Sequence, residues 1–121
     1  MRTFYYSLAL VLLLLGGAFF VQAAQPFGAT PVGHWTCGGM GRNGQPYTLG
    51  LDVVPNGDAY DLTWTLDRTP VFRGFGIRDA DAFAVLFGNQ NGVAVTLYRL
   101  IDGELRGLWT GGDGVVDVET C

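Results

Sequence analysis

The chain has 121 residues and an acidic balance, with eleven Asp and Glu against seven Lys and Arg and a formal net charge of −4. It contains no lysine, a single histidine and two cysteines, and its only serine is Ser7. Beyond Ser7 the chain therefore has no serine nucleophile, and without lysine it can form neither a Schiff base nor the lysine contact of a phosphate-binding loop. The negative charge argues against nucleic acid or an anionic membrane as partner.

Residues 1–23 are predicted to be a cleaved secretory signal peptide. Arg2 supplies the positive start, and Ala23 ends a small-residue cleavage site. The strongly apolar stretch Leu8–Val21 has about 14 residues, against roughly 20 for a membrane-spanning helix. No cysteine stands at the cleavage site to accept lipid. We therefore expect residues 24–121 to be one exported domain, periplasmic or extracellular, without a stable membrane anchor.

Turn signals recur through the rest of the chain at the spacing of short strands in a sandwich or barrel. The clearest are Asn43-Gly44, Asn56-Gly57, Asn91-Gly92 and Asp102-Gly103. The runs between the turns are rich in β-branched and aromatic residues and show no helical periodicity. They predict eight strands, which in chain order cover 33–39, 46–54, 58–66, 70–77, 82–88, 92–100, 103–110 and 114–120.

The pattern within these strands predicts an all-β fold, a small antiparallel up-and-down β-barrel. Apolar side chains alternate with polar or small ones from Tyr47 to Val53 and from Tyr60 to Leu66, as in an antiparallel sheet that covers a core. The run Phe83–Phe87 is apolar on both faces and is either the tightest core or a contact surface. Closure into a barrel removes the exposed strand edges. The side chains expected inside are Trp35, Leu51, Leu62, Trp64, Val85, Val95, Leu105 and Trp109.

The two cysteines lie where barrel closure would bring them together. The first and last strands of an up-and-down barrel are neighbours, and Cys37 lies in the first predicted strand while Cys121 is the last residue. In an oxidising compartment we expect a disulfide; the alternative is a reactive or metal-binding thiol pair. One conflict remains, because Cys37 shares a face with Trp35, expected inside, whereas Cys121 shares a face with Asp117 and Glu119, expected outside.

Two resemblances support a barrel. The opening Gly33-His34-Trp35 is similar to the Gly-x-Trp start of lipocalin and avidin-like barrels, in which the tryptophan plugs one end. Nearly all of the chain after the leader resembles a family of small exported bacterial proteins, mostly uncharacterised and sometimes labelled fibronectin-binding. The chain differs from that family at Thr96, where a tyrosine is expected, and over 116–121. The resemblance implies a fold and brings no catalytic or binding residue. The residues that carry it are Gly44, Tyr47, Tyr60, Trp64, Gly74-Phe75-Gly76-Ile77, Ala84-Val85, Phe87-Gly88, Gly92-Val93-Ala94-Val95, Asp102-Gly103-Glu104-Leu105, Gly107-Leu108 and Trp109-Thr110.

The sequence offers little evidence for a catalytic or metal-binding group of residues. His34 and Cys37 are close in sequence but have opposite parity, so on a strand they face apart. One histidine is too few for the usual zinc sites. Asp52 and Asp61 could form a carboxylate pair of the glycosidase kind, but their predicted faces are polar and outward, away from the buried surroundings that such a pair needs. We therefore expect no catalytic site, no metal and no cofactor.

The function predicted from the sequence is that of an exported, non-catalytic binding module whose partner is a protein or matrix surface. Arginine and aromatic side chains are enriched at interface hot spots, and they interleave in the segment Phe72–Arg78, where Arg73, Phe75 and Arg78 are the candidate contacts. One alternative is an exported inhibitor of a protease or lysozyme, for which a rigid projecting loop would be evidence.

A second alternative is a carrier of a small apolar ligand, in a pocket lined by Trp35, Trp64 and Trp109 together with Tyr47, Tyr60 and Phe87. An eight-stranded barrel is only just wide enough for its own side chains or for one small ligand. We expect side chains to fill it. An open, apolar barrel mouth would instead favour the carrier.

Overall fold

The computed structural model describes residues 29–121, and the predicted signal peptide lies outside the described residues. The described part of the chain is all-β and forms eight antiparallel strands, and the predicted strands are confirmed to within three residues at their ends. No helix long and apolar enough to cross a membrane occurs in this part. The strands are β1 Gly33–Met40, β2 Pro46–Asn56, β3 Ala59–Leu66, β4 Thr69–Asp79, β5 Ala82–Asn89, β6 Gly92–Ile101, β7 Glu104–Thr110 and β8 Asp117–Thr120.

The eight strands form a closed barrel in which each strand pairs with its neighbours in sequence and β8 pairs with β1. This confirms the predicted up-and-down barrel. Tight hairpins make the order possible. At Asp102-Gly103, for example, both residues have positive φ, 52° and 77°, as a two-residue hairpin turn that follows the right-handed twist of its strands requires.

The core lies inside the barrel and comes from the alternate residues of every long strand. Leu51, Leu62, Trp64, Val85 and Leu105 are each at most 3% exposed, which confirms five of the predicted interior positions. Trp35 packs against this cluster and is partly buried, as is Trp109. The remaining buried apolar members are Cys37, Val53, Phe83 and Tyr98.

The inward face of strand β6 differs from the sequence prediction. Val95 was expected inside but is 49% exposed, whereas its neighbour Thr96 is buried. The strand alternates valine and leucine with alanine, threonine and tyrosine, so neither face is clearly polar and alternation alone cannot choose between them. The structure turns Tyr98 inward, where its hydroxyl has a buried acceptor, Glu119.

The inward face of strand β8 also differs from the sequence prediction. Asp117 and Glu119 were expected to point outward, but both point into the barrel and Glu119 is only 6% exposed, while Val118 faces out. Cys121, which shares their parity, therefore also faces inward. It forms a disulfide with buried Cys37, so the conflict between the faces of the two cysteines disappears once the acids are placed inside.

The disulfide lies beside the shortest strand pairing of the barrel, that between β1 and β8. Strands β1 and β8 are in register only at Gly38–Thr120 and Gly39–Glu119, whereas β1 and β2 pair along the whole of β1. The bridge spans 84 residues of sequence, so it links the two ends of the described sheet where backbone pairing is least.

Candidate ligand-binding site

The two ends of the barrel differ. We call the end that carries the connections 41–45, 67–68, 90–91 and 111–116 the open end, and the opposite end the closed end. At the closed end, the segment before β1 covers the interior. Pro31 is fully buried, and the indole N–H of Trp35 donates to its carbonyl oxygen over 2.8 Å. Trp35 thus helps to close one end of the barrel, as the Gly-x-Trp resemblance implies.

Arg78 belongs to the same closure. Its guanidinium donates to the carbonyl of Ala29 over 2.7 Å and to that of Ala80 over 2.8 Å. Both contacts lie at the closed end, where they tie the segment before β1 to the β4–β5 turn. The contacts that the structure gives Arg78 therefore hold the fold together, although the sequence analysis proposed it as an interface residue.

At the open end, side chains do not completely fill the mouth of the barrel, in contrast to the filled barrel that the sequence predicts. A cavity of about 640 Å³ opens between the strands. Its walls are apolar and largely aromatic. Trp64 and Phe87 have ring centroids 4.8 Å apart, and Phe72 meets Phe87 edge to face at 5.6 Å. The walls are completed by Leu49, Val71, Ala94 and Trp109.

A buried carboxylate lies at the inner end of this cavity. Glu119 accepts a hydrogen bond from the Tyr47 hydroxyl at 2.7 Å, one from the Tyr98 hydroxyl and one from the indole N–H of Trp64 at 3.5 Å. All three donors are neutral, and no arginine or histidine within residues 29–121 forms an ion pair with Glu119. The cavity therefore combines apolar walls with one acidic anchor.

The two tyrosines are held in their protonated, donating form. Burial, followed by hydrogen bonding and charge from Glu119, raises the pKa of Tyr47 well above its ordinary value, and burial and the Glu119 charge do the same for the pKa of Tyr98. The nearby Trp109 indole opposes the rise at Tyr47 slightly. The indole N–H of Trp109 does not make a hydrogen bond to Tyr47, and its buried Nε1 has no hydrogen-bond partner among the described residues.

Glycines on the strands beside Glu119 make room for these rings. A β-carbon at Gly39 would lie 2.6 Å from the Tyr47 hydroxyl oxygen, and one at Gly107 would lie 2.6 Å from the ring of Tyr98. Such distances are far inside van der Waals contact. The missing side chains on β1 and β7 thus let two tyrosines reach one carboxylate.

Arg42 fastens the rim of the open end. From the β1–β2 connection it donates to both carboxylate oxygens of Asp113, at 2.9 and 3.2 Å, and to the carbonyl of Val115. It also forms an ion pair with Asp117 and lies 4.5 Å from the ring centroid of Trp109. Two connections at the mouth are thereby linked beside the wall of the cavity.

This rim contact should depend on pH. The backbone N–H of Val115, followed by the guanidinium of Arg42, holds the pKa of Asp113 below its ordinary value. A carboxylate whose pKa is lower in the folded state stabilises that state above its unfolded pKa, near about 4, and the contribution is lost as the pH falls through the folded value. We expect Asp113→Asn to lower the melting temperature slightly at pH 7 and to match the original protein well below pH 3. A difference that persists in acid would show that the charge is not responsible.

Apolar side chains also cover one half of the barrel exterior. The outward residues of β1 to β3 are mostly polar or small, whereas those of β4 to β8 include Arg73, Arg99 and Arg106 together with eight exposed large apolar side chains. The latter face each other across neighbouring strands in two rows, one through Phe75, Leu86 and Val95 and one from Ile77 through Leu97 to Leu108. We call this surface the outer apolar face. Its exposed members are Phe75, Ile77, Leu86, Val93, Val95, Leu97, Leu108 and Val118.

The structure does not bring the predicted site residues into one site. Trp64 and Trp109 line the cavity at the open end, while Trp35 lies at the closed end. Phe75 is 59% exposed on β4, the first strand of the outer apolar face, and Arg73 lies on the same strand, with its guanidinium 3.4 Å from the Thr63 hydroxyl. The remaining candidate, Arg78, takes part in closing the barrel.

Sequence reasoning missed the residue at the centre of the cavity. Glu119 was assigned to solvent because β8 carries two acids on one face. A signal was nevertheless present, because Glu119 shares the parity of Cys121, and the disulfide requires that parity to face inward. Of the other aromatic residues expected to line a ligand pocket, Tyr47 and Phe87 line the cavity, whereas Tyr60 does not.

The other candidate groups of reactive residues do not form a catalytic or metal site in the described residues. His34 is exposed and pairs with Asp52 at 2.7 Å on the outer surface, while Cys37 is fully buried, so the two face apart as expected. Cys37, Cys121 and Glu119 do place their ligand-type atoms within 4.8 Å of one another. Both sulfurs are consumed in the disulfide, however, so this group offers no thiolate to a metal.

Comparisons with protein-family models, with curated proteins and with solved structures give no match. The resemblance to small exported bacterial proteins therefore stays a prediction from the sequence, and the function is argued from the geometry of the barrel.

Proposed function

We propose that this protein is an exported, non-catalytic binding protein that holds one small apolar ligand in the open end of its barrel. The observation that carries the proposal is the cavity of about 640 Å³ with aromatic walls and a single buried carboxylate. Pockets for small molecules typically enclose about 300 to 1,000 Å³, with apolar walls and a few polar groups that orient the ligand. The cavity has both properties.

The polar group at the inner end indicates the kind of ligand. Glu119 is an acceptor whose partners are neutral, so a donor or a cation on the ligand would gain from its charge in surroundings of low dielectric. We propose an apolar ligand that carries an amine, whereas an apolar carboxylate would be repelled.

The placement of the chemically active groups supports a non-catalytic role. His34 and Asp52 are exposed on the outer surface, Asp61 is exposed and accepts hydrogen bonds from Asn56, and both cysteines are in the disulfide. The disulfide fits an oxidising compartment, which supports export.

Ligand binding can be tested with the fluorescent apolar probe N-phenyl-1-naphthylamine and the protein purified after export. We expect probe fluorescence to rise with a dissociation constant on the order of 1 to 100 μM, the range in which apolar contact outweighs the cost of association for so small a ligand. Dodecylamine should displace the probe better than dodecanol, and dodecanoate should be the weakest competitor.

A cavity-filling variant locates the binding. Ala94 lines the cavity directly opposite Phe87, so Ala94→Phe should reduce probe affinity at least about tenfold by occupying the space. Val54→Phe, on the exposed outer surface of β2, is the matched control and should bind as the original protein does. The proposal fails if no probe binds or if both variants bind equally.

A protein or matrix surface is the second candidate partner. It is favoured by Phe75, which is exposed within the outer apolar face, because large apolar patches on a protein surface mark interaction sites. If the purified protein captures a matrix protein, Phe75→Ala should weaken that capture while Thr48→Ala, on the polar half of the exterior, should not. The inhibitor alternative stays a prediction, because it needs a loop that projects toward a partner, whereas Arg42 ties the longest connection of the described barrel, 111–116, to the β1–β2 connection at the rim.

A further inference from the structure

We infer that the disulfide between Cys37 and Cys121 controls ligand binding, so that the oxidised protein holds an amine ligand and the reduced protein releases it. The inference rests on the proposed function, because the site that it concerns is the cavity at the open end. Glu119 connects the two. It is the acidic anchor of the cavity, and its Oε2 atom lies 3.7 Å from the Sγ atom of Cys121.

Strand β8, which carries Glu119, is held unequally on its two sides. On the side of β7 all four of its residues are paired. On the side of β1 only Glu119 and Thr120 are paired, and their partners are Gly39 and Gly38. Glycine has no side chain that could pack across this pairing. The disulfide therefore contributes a large part of the contact between β8 and β1.

A second link between these two strands lies at the rim of the open end. Arg42, in the β1–β2 connection, forms ion pairs with Asp113 and Asp117. The Arg42 side chain is 33% exposed and that of Asp113 is 50% exposed, and ion pairs in contact with water contribute little to stability. After reduction, β8 would thus be joined to β1 mainly by two backbone pairs and this rim contact.

Reduction should open the barrel wall beside the anchor. The donors to Glu119 come from both directions around the barrel, since Tyr47 lies on β2, beyond β1, whereas Tyr98 lies on β6, beyond β7. When β8 separates from β1 and stays with β7, Glu119 moves away from Tyr47 and water reaches the carboxylate. A carboxylate attracts an ammonium group several times more weakly in water than in surroundings of low dielectric.

The apolar walls should outlast this change. Trp64, Phe87 and Ala94 line the cavity from β3, β5 and β6, and none of these strands borders the pairing between β1 and β8. An apolar chain should therefore still bind to the reduced protein. The specific loss is that of the preference for an amine.

A small dithiol can open the bridge by thiol–disulfide exchange. Cys37 is fully buried and Cys121 is partly exposed, so we expect a thiolate of the dithiol to attack the sulfur of Cys121, the more accessible of the two. Cys37 leaves as a thiolate and takes up a proton. The second thiolate of the dithiol then attacks the mixed disulfide, closes the dithiol into its own disulfide and releases Cys121, which is protonated in turn. Two electrons and two protons pass to the protein.

The test compares ligand preference before and after reduction with dithiothreitol, by displacement of N-phenyl-1-naphthylamine. We expect reduction to weaken the binding of dodecylamine at least about tenfold and that of dodecanol less than about threefold, because only the amine gains from the charge of Glu119. Reoxidation should restore the affinity for dodecylamine. A variant with Cys37→Ala and Cys121→Ala should bind as the reduced protein does, with or without dithiothreitol.

The control for a general loss of stability is Leu62→Ala. Leu62 is buried on β3 and does not line the cavity, so this variant is less stable but keeps the bridge, and it should keep the preference for dodecylamine. The inference is wrong if the reduced protein binds dodecylamine as tightly as the oxidised protein, if reduction weakens both ligands equally, or if circular dichroism shows the reduced protein unfolded in the assay. Failure of the oxidised protein to bind the probe would instead overturn the proposed function, and this inference with it.

Discussion

Removing the disulfide between Cys37 and Cys121 is expected to lower the free energy of unfolding by about 4 to 5 kcal/mol. The reason is the length of chain that the bridge closes, 84 residues in sequence, because a cross-link restricts the unfolded chain more when its loop is longer. The position of the bridge adds to the effect. It lies where β1 and β8 are in register at only two residue pairs, so few backbone hydrogen bonds hold these two strands together.

Urea unfolding of the original protein with and without reductant, followed by tryptophan fluorescence, measures this loss. A variant with Cys37→Ala and Cys121→Ala should match the reduced protein and should be unaffected by reductant. In hydrogen exchange, the amides of β8 should lose protection first. An unchanged unfolding midpoint after verified reduction would contradict the expectation.

Replacing Glu119 by leucine is expected to lower the free energy of unfolding by about 2 to 5 kcal/mol, since a buried donor that loses its charged acceptor bears its full desolvation cost. The hydroxyl of Tyr98 and the indole N–H of Trp64 would both be left without that acceptor, and both side chains are at most 2% exposed. Glu119→Gln should cost less, because its amide oxygen can still accept one of these hydrogen bonds.

The matched control for Glu119→Leu is Glu104→Leu. Glu104 is exposed and pairs only with Arg106, so its loss should change stability by less than about 0.5 kcal/mol. If Glu119→Leu unfolds at the same urea concentration as the original protein, the network of Tyr47, Tyr98 and Trp64 does not stabilise the barrel as we describe.

The candidate site could be predicted from the sequence only in part. Aromatic residues were expected to line any pocket, and Trp64, Trp109 and Phe87 do so, because large side chains on the inner face of a barrel must meet near its axis. The openness of one end could not be predicted. It depends on how the segment before β1 reaches across the closed end through Pro31, while no segment within residues 29–121 covers the open end in the same way.

Much of the local structure of this protein can be read from its amino-acid sequence. Alternation in β2 and β3 predicts their inner faces, Asp102-Gly103 and its counterparts predict the turns, and the placement of Cys37 and Cys121 predicts the bridge once the barrel closes. These features depend on neighbouring residues along the chain. Local rules therefore suffice for them.

The inward faces of β6 and β8, in contrast, depend on contacts with other strands. In β6 both faces are apolar enough to be buried, and in β8 the polar face is the inner one because the Tyr47 and Tyr98 hydroxyls converge there from other strands. A buried carboxylate is stable only when such donors surround it. No pattern within a single strand records that requirement, because the donors to Glu119 are separated from it by 21 to 72 residues in sequence.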